Sequence, residues 1–217
     1  MNEHTREEIN TVKTIQRFFA LQSSKHISFD KHQQSGTSYL KSLFHAIEKR
    51  LLVKFIFDYP WRQEGKEILV RPYALKQVKN TWFLVGKHRF IRSFPLELIS
   101  NLNVTAVKFK YPSRFNVGDF YKYSIGSIGR NKHKIYDVIL SFNSISRNYI
   151  LAFPIHCSQK VLVDNLEEFR IRLNVSIDYN LIQQLVSYSW QVKVIKPVKL
   201  INKIKQHHQE ALDQYIH

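Results

Sequence analysis

The sequence predicts an α+β chain: N-terminal helices, then a small antiparallel β-barrel, then a second α+β domain. Three observations lead there. Apolar residues recur at helical spacing as far as Arg50 and alternate from Leu51 onward. Short strand patterns then follow one another closely between Leu51 and Phe109, separated by turn residues. From Ile135 a new run reads strand, helix, strand, strand, helix, strand.

Taken in order, Thr5 to Ser23 places Ile9, Val12, Ile15, Phe18 and Phe19 on one helical stripe, and Lys25 to Thr37 is a polar loop. A second helix is expected from Ser38 to Arg50, with Tyr39, Leu40, Leu43, Phe44 and Ile47 as its apolar face and Ser38 as N-cap. In the strand from Leu51, Val53, Phe55 and Phe57 point one way and Lys54, Ile56 and Asp58 the other. Pro60 to Lys66 breaks it. Glu67 to Leu75 resumes as a strand in which Pro72 marks an edge or a bulge, because proline cannot donate to a ladder. A tight turn at Lys79-Asn80 leads to strands at Thr81 to Gly86 and Phe90 to Phe94, a helical turn at Pro95 to Ile99, and a strand at Leu102 to Phe109. A helix followed by five such strands predicts a small barrel of the SH3 or Sm-like kind.

Lys110 to Lys134 carries Pro112, Gly118, Gly126 and Gly129 and reads as the linker, with Phe115, Phe120, Tyr121 and Tyr123 packing its first half. Beyond it, strands at Tyr136–Phe142, Lys160–Asp164, Phe169–Ile177 and Val192–Lys196 alternate with helices at Ser146–Phe153 and Asn180–Trp190. That βαββαβ order is ferredoxin-like and puts both helices on one face of an antiparallel sheet. A last helix starts at Pro197. The expected divisions are 1–41 (helical segment and loop), 42–111 (barrel), 112–134 (linker) and 135–217 (C-terminal domain).

Composition narrows the function. A chain of 217 residues with 44% hydrophobic and 13% aromatic residues has enough apolar surface for real cores. No apolar run reaches the ~20 residues that span a bilayer, and the first residues lack the basic and apolar regions of a signal peptide, so a cytoplasmic location is expected. The single cysteine, Cys157, excludes an internal disulfide and a multi-thiolate zinc site. The histidines are scattered and no carboxylate lies at ligand spacing, so no metal or cofactor is expected. His156-Cys157 are neighbours in sequence, poorly placed to pair as nucleophile and base, and no phosphate-binding glycine loop or nucleophile elbow occurs. The chain is not expected to be an enzyme. The formal net charge of +16 attracts polyanions over long range, phosphate backbones above all.

The hairpin is the most distinctive stretch. Arg71-Pro-Tyr-Ala-Leu-Lys, Trp82-Phe-Leu-Val-Gly and Ile91-Arg-Ser-Phe-Pro-Leu-Glu-Leu-Ile follow the strand around Phe55 and Tyr59. In that order and spacing they resemble the WYL-domain family of bacterial transcriptional regulators. The sequence from Phe115 onward, with His156-Cys-Ser-Gln, is similar to the C-terminal extension (WCX) that follows WYL in this family. The resemblance departs in three places. Phe83 stands for the middle tyrosine and drops a hydroxyl donor. Leu98 stands where an arginine of the ligand-facing cluster is often found. The segment before Leu43 offers one helix and a loop, so the winged helix-turn-helix usual in the family, which needs roughly 60 residues, is expected to be lacking.

The resemblance implies a sensor barrel. Its ligand surface is expected to combine Arg71, Tyr73, Lys76, Lys87, His88, Arg89 and Arg92, since cations bind phosphate or carboxylate and rings stack on bases. Trp82, Phe83 and Leu84 are expected in the core. Two functions follow. One is the ligand-sensing part of a WYL-type regulator, binding a nucleotide or a short single-stranded nucleic acid and coupling it to domain arrangement. The other is a stand-alone nucleic-acid-binding or homodimerisation module without sequence-specific DNA reading.

Overall fold

The computed structural model describes residues 36–79, 81–127 and 134–216. The helix expected at Thr5–Ser23 and linker residues 128–133 lie outside the described residues. Within them the protein is a mixed α+β chain with two antiparallel sheets. Among the described residues no helix is long and apolar enough to cross a membrane.

The first sheet has strands β1 (Leu51–Phe57), β2 (Lys66–Val78), β3 (Thr81–Lys87), β4 (Ile91–Pro95) and β5 (Ile99–Lys108) in the order β4-β3-β2-β1-β5. Helix α1 (Leu40–Lys49) precedes it. Ser38 is not the N-cap: Gly36 at φ 94° turns the chain into a 3-10 turn, Thr37–Tyr39, and α1 starts only after it. Leu43 and Ala46 of α1, Val53, Phe55 and Phe57 of β1, and Leu84 and Phe94 are among the residues that close one core. The ring pairs Phe55–Phe94 and Phe57–Phe94 meet edge to face at 5.6 and 5.3 Å, the arrangement aromatic quadrupoles favour.

Strand β2 changes partner along its length. Residues 66–70 pair with β1 and residues 71–78 with β3. The change falls at Pro72, and the register shift between Pro72 and Ala74 leaves Tyr73 as the extra residue of a bulge. Proline is tolerated there because the ladder on its second side has already ended. Of the small SH3 or Sm-like barrel expected here the antiparallel five-stranded sheet is present, but it is not closed: β4 and β5 are its end strands, and no ladder joins them among the described residues. Strand β4 is only five residues long and stops at Pro95, and the core beside it is filled instead by Leu96 of the 3-10 turn Leu96–Leu98 and by α1.

At the hairpin Val78 pairs with Thr81, and Lys79 lies at φ 53°. Left-handed backbone at this position matches the strand twist. Gly86, at the far end of β3, lies under Val70: a Cβ there would be 2.6 Å from Val70 Cγ1 and 2.8 Å from the Arg71 carbonyl oxygen.

The linker holds a short helix, α2 (Val117–Tyr121), with the Asn116 side chain accepting from the Asp119 N–H. Then come β6 (Ile135–Phe142), α3 (Arg147–Ala152), β7 (Lys160–Asp164), β8 (Phe169–Ser176), α4 (Tyr179–Ser187), β9 (Val192–Lys196) and α5 (Val198–Asp213). The second sheet runs β7-β8-β6-β9, every neighbouring pair antiparallel. Val138, Leu140 and Phe142 of β6 alternate inward with Phe169, Ile171, Leu173 and Val175 of β8, under Ile150, Leu181, Leu185 and Leu200 from the three helices. The opposite strand face carries charge: Arg172 and Lys196 both bind Asp137, and Arg170 binds Glu168.

Candidate ligand-binding faces of the first sheet

The residues expected on one ligand surface divide between the two faces of β2-β3-β4. The pairing fixes which is which. Leu75, Leu84 and Phe94 share a row whose side chains enter the core, so Gly86 and Arg92, two residues along, lie on that same side. Ala74, Val85 and Ser93 point to the opposite side, together with the row Arg71, Lys87, Ile91 and the row Lys76, Phe83, Pro95. Trp82 and Leu84 belong to the core face; Phe83 faces outward and is half-buried.

On the core face Arg92 emerges at the end of an aromatic shelf. Its guanidinium carbon is 5.1 Å from the Phe94 ring centroid, 5.5 Å from Phe57 and 5.6 Å from Tyr59. These distances are within cation–π reach and leave the forked donors unpaired by any carboxylate among the described residues. Trp61, 71% exposed, stands 5.2 Å from the Tyr59 ring, and Arg62 lies 6.0 Å from the same ring. Tyr59, Trp61 and Arg62 were not among the expected binding residues. The signal that could have found them is Tyr59-Pro-Trp-Arg, aromatics and a cation set directly after a strand.

On the outer face the linker has moved in. Lys76 Nζ sits 3.3 Å from the Tyr121 ring centroid and donates to the Gly126 carbonyl at 3.1 Å. Burial pushes its pKa down to about 8, because leaving water costs the ammonium more than the amine. Ser93 donates to the Ser127 carbonyl at 2.5 Å, so the 2.6 Å contact with Tyr121 has the phenol donating to the Ser93 hydroxyl. Burial raises the Tyr121 pKa and keeps that proton in place. Tyr73 is 4% exposed and packs among Phe109, Tyr111 and Phe115, so its ring walls the linker rather than solvent. Arg71 and Lys87 lie side by side farther along this face, with no ion pair to another described residue. His88 is tied through Nδ1 to the Leu69 carbonyl at 3.0 Å, and Arg89 is exposed at the β3–β4 turn. The structure thus brings Arg71 to Lys87, gives Arg92 a separate place, and commits Lys76 and Tyr73 to packing.

His156 and Cys157 do not make a nucleophile pair. His156 Nδ1 is occupied by the Ser158 hydroxyl at 2.8 Å and the Ser158 N–H at 3.1 Å, and Cys157 Sγ is 3.8 Å from both ring nitrogens, which is a contact on the ring face.

This arrangement of one helix and five strands bearing Arg71, Trp82 and Arg92 is where comparison with known proteins becomes informative. Residues 38–104 match the family model of the WYL domain. This segment is a WYL domain. The match takes in α1 and the strands from β1 into β5, so the Arg92 shelf and the Arg71–Lys87 row both belong to the WYL domain. No curated protein matches the chain. Among solved structures the chain is similar to proteasome accessory factor B/C (PafBC) of Arthrobacter aurescens, at 19% identity over 83% of this chain and 28% of that one, with a TM-score of 0.38. It is also similar to a CRISPR Cas-related protein, at 10% identity over 81% of this chain and 51% of that one, with a TM-score of 0.50. The second likeness extends past the WYL domain and is one of fold. The chain spans about 28% and 51% of the lengths of these two structures.

Proposed function

We propose that this chain is the ligand-sensing part of a WYL-type transcriptional regulator, and that it takes a nucleotide or short single-stranded nucleic acid at the Arg92 shelf. The observation that carries the reading is Arg92 set against Phe57, Tyr59 and Phe94 with the exposed Trp61 beside it. A base stacks on Trp61 and Tyr59 while the Arg92 and Arg62 guanidinium groups meet the phosphate, a division of labour common to single-strand binders. The net charge of +16 supports the same class of ligand. The strand order β7-β8-β6-β9, with helices after β6 and β8, supports reading residues 135–217 as a ferredoxin-like C-terminal extension. The order β4-β3-β2-β1-β5 around one core supports an Sm-like ancestry for the first sheet.

The test is fluorescence anisotropy with a labelled single-stranded oligonucleotide. Trp61→Ala is expected to weaken binding by about 5- to 150-fold, the range of one lost base stack of ~1–3 kcal/mol. Arg92→Ala is expected to weaken it and to flatten the plot of log affinity against log salt by about 0.7 for one phosphate contact. Wild-type affinity in both folded variants would overturn the reading. The second reading, a stand-alone module that grips single strands without sensing, rests on the same net charge. It is favoured if binding leaves the hydrogen exchange of the linker unchanged.

A further inference from the structure

We propose that the cavity between β4, α2 and the start of β6 is a second ligand site, separate from the Arg92 shelf, for a mononucleotide-sized anionic heterocycle with ring N–H donors. The cavity holds about 440 Å³, within the range of small-molecule sites of ~300–1,000 Å³ and ample for one nucleotide. Its wall is aromatic: the half-buried Phe115 is backed by the buried Phe120, ring centroids 5.6 Å apart at 57°, so a planar ring stacks against Phe115.

The polar groups around that wall differ in sign. Arg114 lines the cavity and has no ion pair among the described residues. Asp119 lines it as well; its N–H is taken by Asn116, and its carboxylate has no cationic partner among the described residues. Ile91 lines the cavity on the sheet side. One guanidinium and one carboxylate on the lining suit a ligand that is anionic at one end and donates hydrogen bonds at the other. The guanidinium forks onto phosphate or carboxylate, and the carboxylate accepts paired N–H groups such as the N1–H and amino edge of guanine.

The cavity is also lined from both sheets, by Ile91 of β4 and Ile135 of β6, with the linker between them. A ligand there binds the relative position of the two sheets as well as its own contacts, so it favours one arrangement of them.

The probe is guanosine 5′-monophosphate, titrated into the full chain by calorimetry, with adenosine 5′-monophosphate and guanosine as comparisons. Binding of guanosine 5′-monophosphate is expected, tighter than either comparison. Arg114→Ala is expected to weaken it by about tenfold or more and Asp119→Asn to remove the preference over adenosine 5′-monophosphate. Both side chains are exposed, so the variants should keep the wild-type circular dichroism. Arg92→Ala is expected to weaken the oligonucleotide and still to leave a guanosine 5′-monophosphate site that the added Arg114→Ala removes. No binding of any probe at millimolar concentration, wild-type binding in both cavity variants, or loss of binding in Arg92→Ala would each overturn the proposal. Only the last result would return the nucleotide to the shelf.

Discussion

Lys76 and Arg92 both lie against aromatic rings, and their surroundings set opposite fates for the charge. Arg92 keeps its forked donors for a partner, since no carboxylate among the described residues pairs with it. Lys76 is held inside the linker contact with a pKa near 8, against an ordinary lysine's 10.5. Between those values the unfolded chain binds more protons than the folded one, so the stability contributed at this position rises with pH from about 8 to about 10.5. The urea midpoint of the wild type should therefore gain on that of Lys76→Met across this window. A flat or falling difference would mean that the Tyr121 ring compensates the ammonium fully for its lost water. Gly86 makes a simpler prediction. Alanine there meets the Arg71 backbone and Val70 below 3 Å, so Gly86→Ala should lower the unfolding free energy by about 1–3 kcal/mol, read from a denaturant titration. An unchanged midpoint would show that β2 and β3 separate without cost.

At the scale of elements, what is legible in the sequence is what depends on period alone. Val53, Phe55 and Phe57 alternate cleanly, and β1 follows from them; Leu43 and Ile47 are spaced for a helix, and α1 follows. Pro72 announces the bulge because its chemistry admits few alternatives. Ser38 misleads because the left-handed Gly36 starts a 3-10 turn ahead of it. The candidate site is less legible. Arg71 and Arg92 are both strand cations near Gly86, yet the register puts them on opposite faces, and register across two strand pairs is a tertiary property. The cavity is least legible: Phe115, Phe120 and Ile91 signal burial singly, and only the path of α2 brings them around one space. The weld between linker and second sheet offers a prediction at this scale. Asn180 donates to the Ile125 carbonyl at 2.8 Å, so Asn180→Ala should cost about 1 kcal/mol and raise hydrogen exchange in the linker. Unaltered exchange there would mean that Lys76, Ser93 and Ser176 hold the segment without Asn180.

For the whole molecule, residues 121–127 stand between the two sheets and are held from both sides. Tyr121 and Ser127 meet Ser93 of the first sheet, and the Tyr123 carbonyl accepts both the N–H and the hydroxyl of Ser176 in the second. Several of these attachments end on main-chain oxygens: Lys76 on Gly126, Ser176 on Tyr123, Asn180 on Ile125. A carbonyl is the same acceptor whichever side chain its residue bears. The joint is therefore specified by donors 50 to 55 positions away along the chain. Position 123 can then drift in related sequences without loosening the joint, whereas Ile125 is held by its burial in the second core and Gly126 by its φ of 78° and the Asn180 side chain against its α-carbon. Covariation in such sequences should gather instead at Lys76, Ser176 and Asn180, three residues that line neither the Arg92 shelf nor the cavity.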